Sequence, residues 1–377
     1  MSSSLVLSNV TILEGDDLSP VNGYLVIKDG KIEKISEGFP PSFSKDLKRS
    51  IIIPPFLNAH THLGDSRWKE LYIGKTQNEV VGPDGLKHKL LKEAKEDDLV
   101  MAMRNSIRSM LMSGTIGFCD FREGGLAGLR LLKRATISQI RSFILARGNT
   151  FDECIEVLRE ADGIGMPSLD FLPWQELVKV ARETRRLAKI FSVHVSETAE
   201  AERKSIRERG EGELSVALKL RPSFLVHGTH SSREDLRKAK KKKVPVVFCP
   251  RANRLLSVGS PPISQALEID LEFWLGSDNV CVCEPVMFDV LSSAWECVRL
   301  DNPRAGSEEA RRLLISATVS PSKFFLKEGG IKEGKDATFV VLARRENLRY
   351  VEDIYAGIVN RADINNVRSF FVCGKEV

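Results

Sequence analysis

The sequence lacks long apolar stretches: no run of about 18 apolar residues occurs in its 377 residues. Its N-terminal segment also lacks a basic start followed by a continuous apolar stretch, so we predict neither a signal peptide nor a membrane span. The cysteines number only seven, and most lie inside apolar runs. This usage is typical of buried, reduced thiols, and we expect a cytoplasmic protein with no membrane partner.

Features of a nucleic-acid-binding surface are also scarce. The net charge is only +5, aromatic residues make up 7% of the chain, and no basic strip is interleaved with aromatic residues. The lysine run at residues 238–243 is interpreted as a solvated helix end, because cations stabilise the C-terminal end of a helix. We therefore expect no nucleic-acid partner.

The two ends of the chain resemble each other in pattern. Residues 5–13, 24–27 and 32–35 are apolar and β-branched, and Asp29-Gly30 is typical of a tight hairpin. Residues 337–342 and 369–372 repeat this pattern near the C-terminus. Neither end has enough strands to be stable alone, so we predict that residues 1–53 and 336–377 form one small β-sandwich.

Between these ends, strand and helix patterns alternate. Strands are predicted to begin near residues 56, 115, 142, 164, 191, 224, 244 and 271. Eight such units predict an α/β fold, a (β/α)₈ TIM barrel over residues 54–335. The segment between His62 and Glu96 is much longer than an ordinary connection, and we expect it to be a lid or a substrate-binding insert.

His60 and His62 follow the first predicted strand. Strand side chains alternate with period two, so both imidazoles point to the same side. Two neutral imidazoles suit zinc or divalent iron. The pair alone is weak evidence for a metal site, because two histidines can share one face of a half-buried strand by chance.

Further polar residues lie at the ends of other predicted strands. His194 ends the strand at 191–194, His227 ends the strand at 224–227, and Asp278 follows the last strand. Barrel enzymes carry their catalytic residues at the C-terminal ends of the strands. These residues therefore predict one site together with His60 and His62.

With these residues the chain resembles the amidohydrolase superfamily. Within it, the resemblance is to the branch that contains cytosine, guanine and S-adenosylhomocysteine deaminases together with imidazolonepropionase. The matching segments occur in the family's order along nearly the whole chain. They are Pro-Pro-Phe-Leu-Asn-Ala-His-Thr-His at 54–62, His-Val-Ser-Glu at 194–197, His227, Gly-Ser-Asp-Asn at 276–279, and Glu-Gly-Lys-Asp-Ala at 333–337.

The resemblance implies a metal site and its ligands. His60, His62, His194 and Asp278 would hold one divalent metal ion, zinc or alternatively iron. Two-metal relatives bridge their ions with a carboxylated lysine or a glutamate from strand four. Residues 162–167 contain neither, which favours a single ion.

The resemblance also implies the catalytic roles. His227 would orient or deprotonate water, and Glu197 would move its proton to the substrate. Asp278 would be a catalytic residue as well as a ligand. In a two-metal site His227 would instead be a ligand.

Departures from the family pattern leave the substrate open. The chain has Cys249-Pro250-Arg251 after strand seven, where relatives often have His-Asn-Pro. The predicted substrate-binding residues lie past strand ends or in the long first loop; they are Arg122, Arg147, His88 and Asn253. Arginines there would suit a carboxylate or phosphate on the substrate, although ordinary ion pairing on the rim is the alternative.

These observations predict a metal-dependent aminohydrolase that releases ammonia from a small nitrogen heterocycle. Ring opening of the imidazolonepropionase kind is the alternative, because it uses the same metal and residues. A non-catalytic scaffold would have lost ligand positions, and none of the six metal and catalytic positions is lost. The oligomeric state is left open between a monomer and a homo-oligomer.

Overall fold

The computed structural model describes residues 4–41, 43–82 and 84–377. The chain divides into two compact units. One consists of residues 1–57, 110–116 and 305–377, and the other of residues 58–109 and 117–304. The predicted domain boundaries at residues 53 and 336 stay a prediction.

The terminal unit is built on one seven-stranded sheet. In order across the sheet, its strands are Lys375–Glu376, Val367–Val372, Phe339–Leu342, Lys45–Ile53, Leu5–Glu14, Ser19–Lys28 and Lys31–Glu37. Strands from the two ends of the chain pair directly, with Val341 opposite Ile52. This confirms the prediction that both termini build one β structure.

Local turn chemistry shapes the edge of this sheet. Strands Ser19–Lys28 and Lys31–Glu37 are joined by only Asp29 and Gly30, whose φ angles are 50° and 78°. Two successive positive φ angles form the turn that matches strand twist, and they favour Asp-Gly. The sheet buries Leu7, Ile52 and other apolar side chains, while the rings of Phe339 and Phe371 stack 4.9 Å apart. The helices of this unit are Ser307–Ala317, Val319–Phe325, Glu346–Arg349 and Ile354–Arg361, with a 3₁₀ turn at Ile364–Asn366.

The second sheet is the predicted barrel. Its parallel strands are Phe56–His62, Thr115–Arg122, Arg141–Ala146, Gly163–Met166, Ile190–Val195, Phe224–His227, Val246–Phe248 and Phe273–Leu275, with a short continuation at Asp278–Asn279. The strand order begins at Phe273–Leu275 and ends at Asp278–Asn279, which pairs with Phe56–His62. Both ends belong to one stretch of chain, so the sheet closes on itself and the predicted fold is confirmed.

Helices follow the strands in the expected alternation. They are Glu96–Met112, Gly125–Ala135, Phe151–Leu158, Trp174–Arg186, Ala199–Arg209, Glu213–Ala217, Arg233–Lys242, Pro250–Leu255, Ile263–Glu268 and Met287–Asp301, with a 3₁₀ turn at Leu218–Leu220. Strands Phe56–His62 and Thr115–Arg122 are buried at every position, as parallel barrel strands with both faces covered require. Within the described residues, no helix is long and apolar enough to cross a membrane.

The long segment after the first strand has structure of its own. It contains a 3₁₀ turn at Leu63–Asp65 and helices at Gln77–Val81 and Leu86–Glu93. Thr76 begins the first of these helices with a capping box, because its hydroxyl accepts from the Glu79 N–H and the Glu79 carboxylate accepts from the Thr76 N–H. The segment is therefore a folded insert.

Candidate active site

Three histidines and one aspartate converge at the C-terminal ends of the barrel strands. His194 Nε2 lies 3.3 Å from both His60 Nε2 and His62 Nε2. Asp278 Oδ1 lies 3.3 Å from His60 Nε2 and 3.6 Å from His62 Nε2. The structure thus brings together all four predicted metal ligands.

The imidazoles are oriented by hydrogen bonds to backbone carbonyls. His62 Nδ1 donates to Phe121 O at 3.0 Å, and His194 Nδ1 donates to Met166 O at 2.7 Å. Each proton on Nδ1 leaves a lone pair on the Nε2 atom that points inward. Burial lowers the pKa of His60, His62 and His194 well below the usual value, which keeps the rings neutral.

This donor set fits a metal ion. Ligand atoms around a tetrahedral metal with bonds of ~2.0–2.1 Å lie roughly 3.3–3.4 Å apart. The separations of 3.3 to 3.6 Å match that spacing. Asp278 Oδ1 is buried and accepts no hydrogen bond from the described residues. Four electron-rich atoms this close repel one another unless a cation lies between them.

Asp278 is held in place by an unusual backbone. Its φ angle is 66°, in the left-handed region that non-glycine residues seldom occupy. Asn58 fixes the residue before it, because its Nδ2 donates to Ser277 Oγ at 2.7 Å and its Oδ1 accepts from Ser277 N at 3.0 Å. Gly276 allows the close approach, since a Cβ there would lie 2.7 Å from the Cβ of His60.

Glu197 lies beside the metal-ligand cluster and faces the cavity. Its side chain is 20% exposed, and its Oε2 lies 3.8 Å from His227 Nε2. Gln77, from the insert, donates to Glu197 Oε1 at 3.1 Å. Burial and the negative charge of Asp278 raise the pKa of Glu197 to about 8. A carboxyl group with this pKa can hold and release a proton near neutral pH.

His227 is supported by a buried asparagine. Asn253 was predicted to bind substrate, but its side chain is fully buried and does not line the cavity. Thr229 Oγ1 donates to Asn253 Oδ1 at 3.3 Å, which turns Asn253 Nδ2 toward His227 Nδ1 at 3.2 Å. If Nδ1 accepts this bond, the neutral ring carries its proton on Nε2, the atom that faces Glu197. Burial lowers the pKa of His227.

A buried group of charges lies next to the ligands, with Glu123 Oε2 4.0 Å from His62 Nδ1. Lys87 Nζ lies 3.2 Å from both Asp65 Oδ2 and Glu123 Oε1, and Arg122 Nη2 lies 2.9 Å from Glu123 Oε1. All four side chains are at least 90% buried. Burial opposes the charge on Glu123, but Arg122 and Lys87 lower its pKa overall. Gly64 makes room for Arg122, because a Cβ there would lie 1.9 Å from Nη2.

Asp65 links this charge group to the loop that carries Asp278. Its Oδ2 accepts from Asn279 Nδ2 at 2.8 Å, and its Oδ1 accepts from Cys281 N at 2.9 Å. Burial opposes the positive charge of Lys87, but Glu123 and Asp65 raise the pKa of the lysine. The insert is therefore tied to the metal-ligand loop through Lys87 and Asp65.

A cavity of about 970 Å³ opens onto the ligand cluster. The predicted substrate-binding residues Arg122, Arg147 and His88 line it, as do Lys87 and Gln77 from the insert. Arg147 is 8% exposed, and its Nη1 has no hydrogen-bond partner in the part of the chain that the structure describes. Its guanidinium lies 5.7 Å from the ring centre of Phe171, another cavity residue. His88 is only half-buried.

Lys87 and Gln77 were missed in the sequence analysis. Both lie in the insert, where lysine and glutamine are ordinary surface residues. Lys87 lies next to His88, which is a predicted substrate-binding residue. Its position therefore indicated the cavity, but lysine as a residue type did not. Their roles depend on partners in other elements, such as Glu123 for Lys87 and Glu197 for Gln77, and no local pattern reports such pairings.

Comparison with known proteins agrees with this geometry. A family model described as the amidohydrolase family matches residues 51–377. A putative aminohydrolase of Methanothermobacter thermautotrophicus is 33% identical over 99% of both chains. A 5-methylthioadenosine/S-adenosylhomocysteine deaminase of Pyrococcus furiosus is 23% identical over 99% of this chain and 94% of its own.

A solved structure shows the same fold. An adenosine deaminase from Xanthomonas campestris with bound zinc superposes with a TM-score of 0.81 at 16% identity, covering 99% of this chain and 92% of its own. The family model covers most of this sequence, and the first relative matches it nearly from end to end. The chain belongs to the amidohydrolase family.

Proposed function

We propose that this chain is a metal-dependent aminohydrolase that replaces the exocyclic amino group of a nitrogen heterocycle by oxygen and releases ammonia. The observation that carries this proposal is the convergence of His60, His62, His194 and Asp278 beside Glu197. Relatives at full chain coverage are named as an aminohydrolase and as a deaminase, in agreement with it.

One divalent ion would be held by the three Nε2 atoms and Asp278 Oδ1. Three imidazoles and a carboxylate suit zinc, with ferrous iron as the alternative. The fourth barrel strand, Gly163–Met166, supplies no lysine or glutamate to bridge a second ion. When bound, the ion would lower the pKa of water and polarise the substrate.

Glu197 carries out the proton transfers, and His227 orients the water. Glu197 accepts the proton of the attacking water and delivers it to the ring nitrogen next to the amidine carbon. It then takes the remaining proton from the hydroxyl added to that carbon and delivers it to the amino group, so that the C=O bond forms, the C–N bond breaks and ammonia leaves. His227, with its proton on Nε2, donates a hydrogen bond that orients the water toward that carbon. Gln77 holds the Glu197 carboxylate during both transfers.

We propose that the rest of the substrate carries an acidic group. Arg147 lines the cavity and its buried Nη1 has no hydrogen-bond partner among the described residues, and a guanidinium pairs well with a carboxylate or phosphate. Apolar side chains on the same cavity, including Leu99, Met103 and Leu131, would cover the uncharged part of the molecule.

The test is a panel of aminopurines, aminopyrimidines, pterins, adenosyl-type nucleosides and lactams, assayed for ammonia release with metal-loaded protein. Glu197→Gln should keep its metal and lose ~10²-fold to 10⁴-fold of turnover. The control is Glu284→Gln, an exposed carboxylate paired with Lys69, which should behave as wild type.

Two outcomes contradict the proposal. Near-normal turnover of Glu197→Gln at full metal occupancy would remove Glu197 from the mechanism. Loss of ring absorbance without ammonia would instead favour the ring-opening reaction, which uses the same ligands and the same proton shuttle.

A further inference from the structure

Ser196, the residue before Glu197, is fixed by hydrogen bonds at every polar group. Its N–H donates to Glu213 Oε2 at 2.5 Å, and its Oγ donates to Glu202 Oε2 at 2.7 Å. Its carbonyl accepts from His230 N at 2.9 Å. Its φ angle is 50°, a left-handed conformation that a serine adopts only where the surroundings enforce it.

The two carboxylates that hold Ser196 are also joined to each other. The Glu213 N–H donates to Glu202 Oε2 at 3.0 Å, so this oxygen accepts two hydrogen bonds. Glu202 and Glu213 are 7% and 5% exposed. Gly212 makes room for Glu202, because a Cβ there would lie 2.4 Å from Glu202 Oε1. Two buried carboxylates at one point are costly, and this arrangement directs both of them at one serine.

We propose that Glu213 and Glu202 are positioning residues for Glu197, acting through the enforced backbone of Ser196. The proposal rests on the proposed function, in which Glu197 moves the protons. Neither glutamate touches the metal ligands or transfers a proton itself. They hold Ser196 in the left-handed conformation, and that conformation turns the next side chain toward the ligand cluster.

The geometry around Glu197 shows why this support matters. Its carboxylate accepts a hydrogen bond from Gln77 and lies 3.8 Å from His227. Without a fixed backbone, this side chain could turn toward open cavity. A displacement of about 1 Å at a reacting group can cost ~10²-fold in rate. The two glutamates therefore contribute to turnover by fixing the backbone that carries Glu197, although Glu213 also lines the cavity.

The first test is structural and needs no substrate. Glu213→Ala removes the acceptor of the Ser196 N–H, whereas Glu213→Gln keeps an oxygen at that point. In crystal structures of the metal-loaded variants, Glu213→Ala should show Ser196 leaving its positive φ and Glu197 losing its contact with Gln77. Glu213→Gln should keep both features. Unchanged Ser196 and Glu197 in Glu213→Ala would overturn the proposal.

The second test is kinetic and uses the panel compound with the highest turnover. Glu213→Ala should lower kcat by ~10²-fold with little change in KM or metal content, and Glu213→Gln should restore most of it. In a Glu197→Gln background the same alanine change should cost much less, because both act on one group. Losses that multiply fully in the double variant would show a role independent of Glu197.

A matched control is available in the same cluster. Asp235 is also buried, but its carboxylate accepts from Ser215 and Ser232 and not from Ser196. Asp235→Asn should lower thermal stability without lowering kcat. An equal loss of kcat in this variant would indicate a general effect of loosening the cluster and would overturn the proposal.

Two further cases are covered: a variant that does not fold, and a wild-type protein without activity on the panel. If Glu213→Ala does not fold, Ser196→Ala removes only the bond to Glu202 and should still lower kcat at unchanged metal content. Unchanged kcat in Ser196→Ala would remove Glu202 from the proposal. If wild-type protein releases no ammonia from any panel compound, the proposed function fails, while the crystal structures still decide whether Glu213 positions Glu197.

Discussion

The substitution Glu213→Gln should make the protein's stability less sensitive to pH. Burial raises the pKa of Glu213 to about 7 from 4.5, and its neighbours modify this effect. The Ser196 N–H and Arg209 lower the pKa, whereas the negative charges of Glu202 and Asp170 raise it. The native protein therefore keeps a proton on Glu213 at a pH where the unfolded chain has lost it.

The sign of the effect follows from proton linkage. Between pH 4.5 and about 7 the folded state binds more protons at Glu213 than the unfolded state, so the free energy of unfolding falls as pH rises. At ~1.4 kcal/mol for each pKa unit, the full penalty is of the order of 3 kcal/mol above pH 7. Glutamine has no proton to lose, so the variant escapes the penalty. The free energy of unfolding of the variant should therefore increase relative to that of wild type as pH rises through this window.

The assay is urea unfolding of both metal-loaded proteins at about pH 5 and pH 8, with free energies from linear extrapolation. Any pH dependence of metal binding is common to both proteins and cancels in the difference. Glu234→Gln, which removes an exposed carboxylate, is the control and should show a difference that does not vary with pH. A constant difference between Glu213→Gln and wild type would refute the reasoning, because it would mean that Glu213 ionises in the fold at no cost.

Three further predictions concern the ligands, the charge group and the cavity. His194→Ala should reduce the metal content from about one equivalent per chain to well below it in elemental analysis, whereas two tightly held equivalents in wild type would contradict the single site. Lys87→Met should lower the free energy of unfolding by about 3–5 kcal/mol in urea titrations, because it leaves the buried carboxylates of Asp65 and Glu123 without their shared cation. Arg147→Met should raise KM by ~10-fold or more for substrates with a carboxylate or phosphate and leave KM unchanged for neutral ones, whereas an equal rise for both would exclude an anion-binding role.

The barrel and the ligand cluster could be predicted from sequence because both depend on short-range patterns. His60 and His62 share a side through the period of two in one strand, and His194 and His227 each end an apolar run. In a closed parallel barrel all strand ends meet on one face, so residues far apart in sequence come together once the fold is known. The fold thus brings residues identified by separate local patterns together in one site.

The role of Asn253 could not be predicted in this way. Its position past the seventh strand indicated the correct face, but position does not say which way a side chain points. Helix Pro250–Leu255 begins at once after Cys249 and turns the amide inward to Thr229 and His227. Lys87 and Glu213 escaped prediction for a related reason, since their partners belong to other elements.

The left-handed backbone conformations at the strand ends could not be predicted from the sequence. Ser196, His227 and Asp278 have φ angles of 50°, 72° and 66°, and each lies where a barrel strand ends at the site. Glycine would signal such a conformation, but none of these three residues is glycine, and aspartate and histidine, although enriched at positive φ, also occur widely elsewhere. A left-handed residue of this kind costs ~1–3 kcal/mol and persists only where its surroundings compensate. Here the compensation is visible as the carboxylates on Ser196, the amide of Asn253 on His227, and the clamp of Asn58 beside Asp278. In the proposed mechanism, residues that transfer no proton themselves therefore hold these side chains in position.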